Sequence, residues 1–289
     1  MHPQLELLLE TRPVVTDGAW GTQMQERGLP VGACPDEWNL SQPEKVEAVA
    51  RAYVEAGSRV VLTNTFGASS FMLERHGLGD RVADINRAGA EISKRAAGEQ
   101  ASVFASIGPT GKMLMMQECT EDEMQAAFTE QAEALAEGGA DAIVVETMSD
   151  VAEARLAVLG AKSTGLPVVA SFVFDAGEDH DRTMMGISPE DAVVAMTEAG
   201  ADVIGSNCGQ GIEGFINICR RMRAVTDKPL WMKANAGLPE LIDGSPVYKV
   251  TPDEFVAHVP ALIEAGADFV GGCCGTSPAF IQAVAESLR

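Results

Sequence analysis

The sequence predicts a single-domain (β/α)8 barrel over residues 1–289, and three observations carry that expectation. Short apolar runs alternate with amphipathic helical stretches eight times, the pattern of a closed parallel sheet wrapped in helices. One phrase recurs four times: Glu55-Ala-Gly-Ser-Arg-Val-Val-Leu-Thr-Asn64, Glu137-Gly-Gly-Ala-Asp-Ala-Ile-Val-Val-Glu146, Glu198-Ala-Gly-Ala-Asp-Val-Ile-Gly-Ser-Asn207 and Glu264-Ala-Gly-Ala-Asp-Phe-Val-Gly-Gly-Cys273. The length, 289 residues, fits one barrel of about 250 residues with modest loops.

Taken in order, the first apolar run is Val14–Asp17, and the second follows the first copy of the repeated phrase. In every copy a helix runs out into a glycine (Gly57, Gly139, Gly200, Gly266) that can take the left-handed conformation of a helix C-terminus. A buried-strand run follows it at once. The remaining runs are Ser102–Gly108, Pro167–Phe174 and Pro229–Ala236, which brings the total to eight. Helix starts are marked by Ser41-Gln42-Pro43-Glu44, Thr120 with Glu123, Ser188-Pro189-Glu190 and Thr251-Pro252-Asp253-Glu254, which read as capping boxes or proline-led first turns. An open doubly wound sheet would want a glycine-rich phosphate turn after the first strand, and Asp17-Gly18-Ala19-Trp20-Gly21-Thr22 resembles one only faintly.

Composition narrows the function. With 42 acidic and 21 basic residues the formal charge is −21, which repels nucleic acid and anionic membrane and removes both as expected partners. No basic-then-apolar leader opens the chain, and the longest apolar stretch, Leu166–Phe174, is half of a membrane span, so a cytoplasmic protein is expected. Six cysteines in a chain this long are too few and too irregular for a disulfide scaffold.

Three of those cysteines organise the site. The hexapeptide Gly271-Gly272-Cys273-Cys274-Gly275-Thr276 sets two adjacent thiols among glycines that free the backbone, so both sulfurs can turn toward one object. Adjacent cysteines rarely pair with each other. In the register of the fourfold repeat, Asn64, Glu146, Asn207 and Cys273 are equivalent, and so are Thr65, Thr147, Cys208 and Cys274. All fall at the C-terminal ends of alternate strands, the catalytic face of such barrels. Cys208 therefore meets Cys273 and Cys274 across the rim despite lying 65 positions before Cys273. Three thiolates with no fourth protein ligand describe zinc with an open position. Three thiolates overcompensate Zn2+, which makes it poorly suited to generating hydroxide and well suited to a soft substrate thiol, whose proton it displaces. The histidines (2, 76, 180, 258) offer no ligand, and Cys34, Cys119 and Cys219 are packing residues in this reading.

Several separated motifs together resemble the homocysteine S-methyltransferase family. They are Asp17-Gly18-Ala19-Trp20-Gly21-Thr22, Thr63-Asn64-Thr65-Phe66, Gly108-Pro109-Thr110-Gly111, Glu146-Thr147, Ser206-Asn207-Cys208-Gly209, Asn235-Ala236-Gly237 and Gly272-Cys273-Cys274-Gly275-Thr276. Lys233-Ala-Asn-Ala-Gly-Leu-Pro and Gly244-Ser-Pro-Val-Tyr248 are most similar to the homocysteine-binding module of cobalamin-dependent methionine synthase. The resemblance implies zinc on Cys208, Cys273 and Cys274. It implies homocysteine held by Asp17, by the backbone at Gly18 and Ala19, and by Glu146, with Asn64 beside them and Asn235 able to fill the fourth metal position. It also implies formation of methionine by a thiolate attacking a methyl group.

The donor expected from the sequence is methylcobalamin on a separate corrinoid protein or domain, since folate, cobalamin and activation modules do not fit in 289 residues. A betaine donor needs an aromatic cage for its quaternary ammonium, and the chain has two tyrosines, Tyr53 on a helix and Tyr248 far along a loop. Lys112-Met113-Leu114-Met115-Met116 offers an apolar patch on the active face for a partner. S-methylmethionine or betaine as donor, a phosphate-binding barrel using Gly275-Thr276-Ser277, and a non-catalytic zinc or thiol binder are the alternatives.

Overall fold

Eight parallel strands close into a barrel in the computed structural model, which describes residues 2–242 and 245–289. Numbered along the chain, the barrel strands are Val14–Val15, Val60–Val61, Ser102–Ile107, Ala142–Met148, Val168–Phe172, Val203–Cys208, Leu230–Ala234 and Phe269–Gly272. Each pairs in parallel with its neighbour from the second strand to the eighth, and the eighth pairs with the first. A Thr16–Val60 bridge and the Arg59 N–H donating to the Val15 carbonyl at 2.8 Å join the first strand to the second and complete the ring. This is the single-domain (β/α)8 barrel that the alternation predicts.

The local signals act as expected in most places. All four repeat glycines have positive φ, at 103°, 90°, 93° and 110° for Gly57, Gly139, Gly200 and Gly266, so each reverses its helix into the following strand. Thr120 with Glu123 and Thr251 with Glu254 form reciprocal capping boxes, and Ser188 caps through the Asp191 N–H. Ser41 does not cap. It ends a short helix, Trp38–Ser41, and its hydroxyl donates to Glu37 at 2.7 Å, so Gln42 enters the helix Pro43–Glu55 without a side-chain cap.

Alternation along each strand divides the core into two layers. Val15, Val61, Ala105, Val145, Ala170, Ile204 and Met232 face outward to the helices. Val14, Val60, Phe104, Val144, Val169, Val203, Trp231 and Phe269 fill the barrel interior. Trp231 lies parallel to Phe104 at 6.0 Å and tilted against Phe269 at 5.4 Å. Leu5 and Leu8 of an N-terminal helix, Pro3–Leu9, join this cluster. Seven residues carry too little periodicity to mark this helix in the sequence. Burial of each of these aromatic side chains contributes about 2–3 kcal/mol. None of the helices among the described residues is long and apolar enough to cross a membrane.

Candidate metal centre

Two residues up the strands from the aromatic layer, the interior turns polar. Ser106, Glu146, Ser171, Asn207 and Lys233 are all buried at the C-terminal mouth. Cys208 ends the sixth strand and Cys273 and Cys274 follow the eighth. The seventh strand lies between them: Cys208 pairs with Ala234, the Cys273 N–H donates to the Ala234 carbonyl at 2.7 Å, and the Ala236 N–H donates to the Cys274 carbonyl at 2.9 Å.

The three sulfurs lie within 4.8 Å of one another. Cys208 Sγ is 2.9 Å from Cys273 Sγ and 4.0 Å from Cys274 Sγ. Tetrahedral zinc with bonds of about 2.3 Å sets its sulfurs about 3.8 Å apart, so the Cys208–Cys274 edge already fits and the Cys208–Cys273 edge opens by about 0.9 Å. Cys208 reaches its position with φ 63°, a left-handed conformation unfavourable for a side chain with Cβ, and Thr147, its equivalent in the repeat, does the same at 61°. Asn235 contributes a second sign of a ligand. Its Nδ2 donates to the Gly209 carbonyl at 2.7 Å, while its buried Oδ1 has no hydrogen-bond partner. A metal ion is the kind of group that such an acceptor and three convergent thiols lack. The residues present fit zinc.

Asn207 orders the centre. Its Oδ1 accepts from the Thr147 N–H at 2.8 Å and from Ser171 Oγ at 2.7 Å, and its Nδ2 donates to Thr147 Oγ1 at 2.7 Å. The same Nδ2 lies 3.7 Å from Cys208 Sγ and 3.9 Å from Cys273 Sγ, close enough to favour anionic sulfur. Hydrogen bonds from Cys208 and Cys273 pull the Cys274 thiol down to about 3, and its hydrogen bond with Tyr248 acts in the same direction. The Cys208 thiol is pushed well above its ordinary value by its bonds to the other two.

Tyr248, expected far along a loop, stands next to Cys274. A β-hairpin, Glu240–Ile242 with Ser245–Val247, returns the loop after the seventh strand toward the mouth. Gly244, named with Tyr248 in the sequence, lies outside the described residues. The Tyr248 ring packs on Gly275, whose φ of 80° and missing Cβ admit it. One tyrosine therefore stands beside Cys274, which separation along the chain did not suggest.

Asp17 is fully buried: Oδ2 accepts from Trp20 Nε1 at 2.8 Å and from the Leu62 N–H at 2.7 Å, and Oδ1 pairs with Lys233 Nζ. The Ala19 N–H donates to the Thr276 carbonyl at 3.0 Å, whereas the Gly18 N–H has no protein partner among the described residues. Glu146 is buried, bonded to Ser106 Oγ, and raised to about 7 by burial against the opposing pull of Lys233. Asn64 donates to the Pro35 carbonyl at 2.7 Å and to Asn39 Oδ1 at 3.1 Å, so its amide nitrogen ties down the first βα loop. The side chain of Thr276, part of the alternative phosphate turn, is buried and donates to the Cys273 carbonyl.

Comparison with known proteins agrees with this geometry. The family model described as homocysteine S-methyltransferase matches residues 14–288. A methionine synthase of Mycobacterium tuberculosis is 33% identical over 97% of this chain, and the chain spans 25% of that relative's length. Betaine–homocysteine S-methyltransferase 1 of Danio rerio is 30% identical over 98% of this chain and 75% of its own. The homocysteine methyltransferase MmuM of Escherichia coli superposes in its oxidized form with a TM-score of 0.82, covering 99% of this chain and all of that one, and in its metallated form with 0.80. At 22% identity those two structures speak for the fold. With nearly the whole sequence inside the family model, the chain belongs to the homocysteine S-methyltransferase family.

Proposed function

We propose that the protein is a zinc-dependent homocysteine S-methyltransferase that forms methionine. The observation that carries this reading is the meeting of three thiols and the unpartnered Asn235 Oδ1 at the mouth of a barrel of this family. Cys208, Cys273 and Cys274 would hold zinc, with Asn235 Oδ1 available for the fourth position in the absence of substrate. Zinc, when bound, lowers the pKa of a substrate thiol that is otherwise about 8.5, so that it is a nucleophile at neutral pH.

The chain's own residues orient the amino acid. Glu146, buried beside Cys273, offers a carboxylate to the substrate ammonium, and the Gly18 N–H offers a donor to its carboxylate. Asn207 and Tyr248 steady the cysteine sulfurs through their N–H and O–H groups. Cys274 is exposed, so the reacting face opens to solvent and to an incoming donor. Free cysteines suit a reducing, cytoplasmic setting.

For the donor we propose a methyl-corrinoid presented by another protein or module. Support comes from the likeness to methionine synthase and from the exposed side chains of Met113, Met115 and Met116 on the loop after the third strand. Betaine is the second reading, favoured by the Danio rerio relative and by the position of Tyr248. Methionine formation from homocysteine with methylcobalamin, betaine or S-methylmethionine, by protein of measured zinc content, separates them. Methylcobalamin is expected to be fastest, and Met115→Ser with Met116→Ser is expected to slow transfer from a corrinoid protein several-fold more than from free methylcobalamin. Full activity in a metal-free sample rejects the zinc centre.

A further inference from the structure

A buried lysine stands in the polar mouth with most of its hydrogen-bonding capacity unused. Lys233 is 1% exposed, on the interior face of the seventh strand two residues above Trp231, with Nζ 5.6 Å from the centre of that ring. An ammonium has three N–H donors, and buried donors are ordinarily all paired. Among the described residues only Asp17 accepts from this one. Asp17 in turn is satisfied by Lys233, Trp20 and the Leu62 N–H together, which fixes the ammonium from one side and leaves the carboxylate little capacity for a ligand. The lysine's charge is felt at Glu146 and at Cys273, so its head lies near the carboxylate proposed for the substrate ammonium and near a thiol of the metal centre. The Gly18 N–H, without a protein partner among the described residues, follows directly after Asp17.

We infer that Lys233 is a substrate-binding residue that reads the carboxylate of the amino-acid thiol, with Asp17 acting as its buttress and the Gly18 N–H as its companion donor. Two ammonium N–H groups and one backbone N–H form a donor set for a carboxylate. An amino acid held this way is gripped at three points: sulfur at the cysteines, ammonium at Glu146, carboxylate at Lys233. Lysine at this position then selects α-amino acid thiols over aminothiols that lack the acid. The inference rests on the homocysteine reading above.

Calorimetric titration of the zinc-loaded protein tests it, with homocysteine and its decarboxylated analogue 3-aminopropane-1-thiol as probes. The wild type is expected to prefer homocysteine by about 10- to 100-fold, the range for a charge-assisted hydrogen bond. Lys233→Met is expected to remove most of that preference, weakening homocysteine while leaving the analogue and the zinc content unchanged. Should the lone Asp17 charge prevent folding, Asp17→Asn with Lys233→Met removes both charges, and the same loss of preference is expected. A wild type without preference, or variants in which both thiols weaken together or neither does, overturns the role of Lys233 and leaves the homocysteine reading intact. A wild type that takes neither thiol removes the reading, and the role of Lys233 with it.

Discussion

The barrel interior has two ends, built from the same strands two to four residues apart and following opposite rules. At the lower end Phe104, Trp231 and Phe269 pack together with Leu5 and Leu8, and the side chains are apolar apart from the Trp231 indole N–H, which has no hydrogen-bond partner. At the upper end Ser106, Glu146, Asn207 and Lys233 bring polar and ionisable groups into an equally buried space beside half-buried Cys273, with thiols at 2.9 Å and a non-glycine residue at positive φ. The lower end is where sequence, propensity and packing agree. The upper end departs from that agreement, as sites shaped for a ligand do.

Substitutions should therefore separate the two ends. The largest effect is expected from Cys208→Ala, Cys273→Ala or Cys274→Ala. Each should lower methyl transfer by more than about 1,000-fold and strip zinc, since two protein thiolates no longer make the centre. Circular dichroism should stay native, because the barrel ladder does not run through these side chains; a variant that keeps both metal and activity contradicts the centre. At the other end Trp231→Ala should behave in reverse, reducing stability by about 3–5 kcal/mol in denaturant titration while the folded fraction retains stoichiometric zinc. Zinc loss at native conditions in that variant would show that the two ends are not separable.

The smallest and most informative effect belongs to Glu146. Its folded-state pKa of about 7 lies above the ordinary carboxylate value, so between about pH 4.5 and 7 the metal-free folded protein keeps a proton that the unfolded chain has lost. Stability therefore falls as pH rises through that window. Glu146→Gln, with nothing to titrate, should gain on the wild type by on the order of 2 kcal/mol over it. The same substitution should raise the homocysteine dissociation constant about 10-fold or more without releasing zinc, and wild-type binding should weaken as acid protonates Glu146. A flat stability difference across the window removes the buried, ionisable carboxylate from the argument.

The barrel itself was legible because periodicity writes it into the chain, the short helix Pro3–Leu9 beneath it excepted. Four repeats ending in Gly57, Gly139, Gly200 and Gly266 announce helix, turn and strand in fixed order. The thiols were legible for the same reason, since repeat register aligned Cys208 with Cys274. Contacts made across the ring were not. Nothing in spacing says that Asp17 would be held by Lys233, 216 residues later, or that a hairpin would carry Tyr248 back to Gly275. Ser41-Gln42-Pro43-Glu44 carries a capping pattern whose hydroxyl a nearer acceptor, Glu37, takes instead. Each of these outcomes depends on tertiary geometry and leaves no mark in local periodicity.

The seventh strand's position between the two cysteine-bearing strands has a consequence for how metal arrives. Neighbouring strands lie about 4.8 Å apart, so the backbones of Cys208 and Cys273 are held at a separation set by the sheet ladder through Ala234, with or without an ion. Finger-like zinc domains assemble around their ion and unravel when it leaves. Here the vise is machined before the workpiece is inserted, and only side-chain torsions remain to close on it. Loading such a centre is a docking event at the surface of a finished protein, so a chelator should empty it and added zinc refill it without a refolding step.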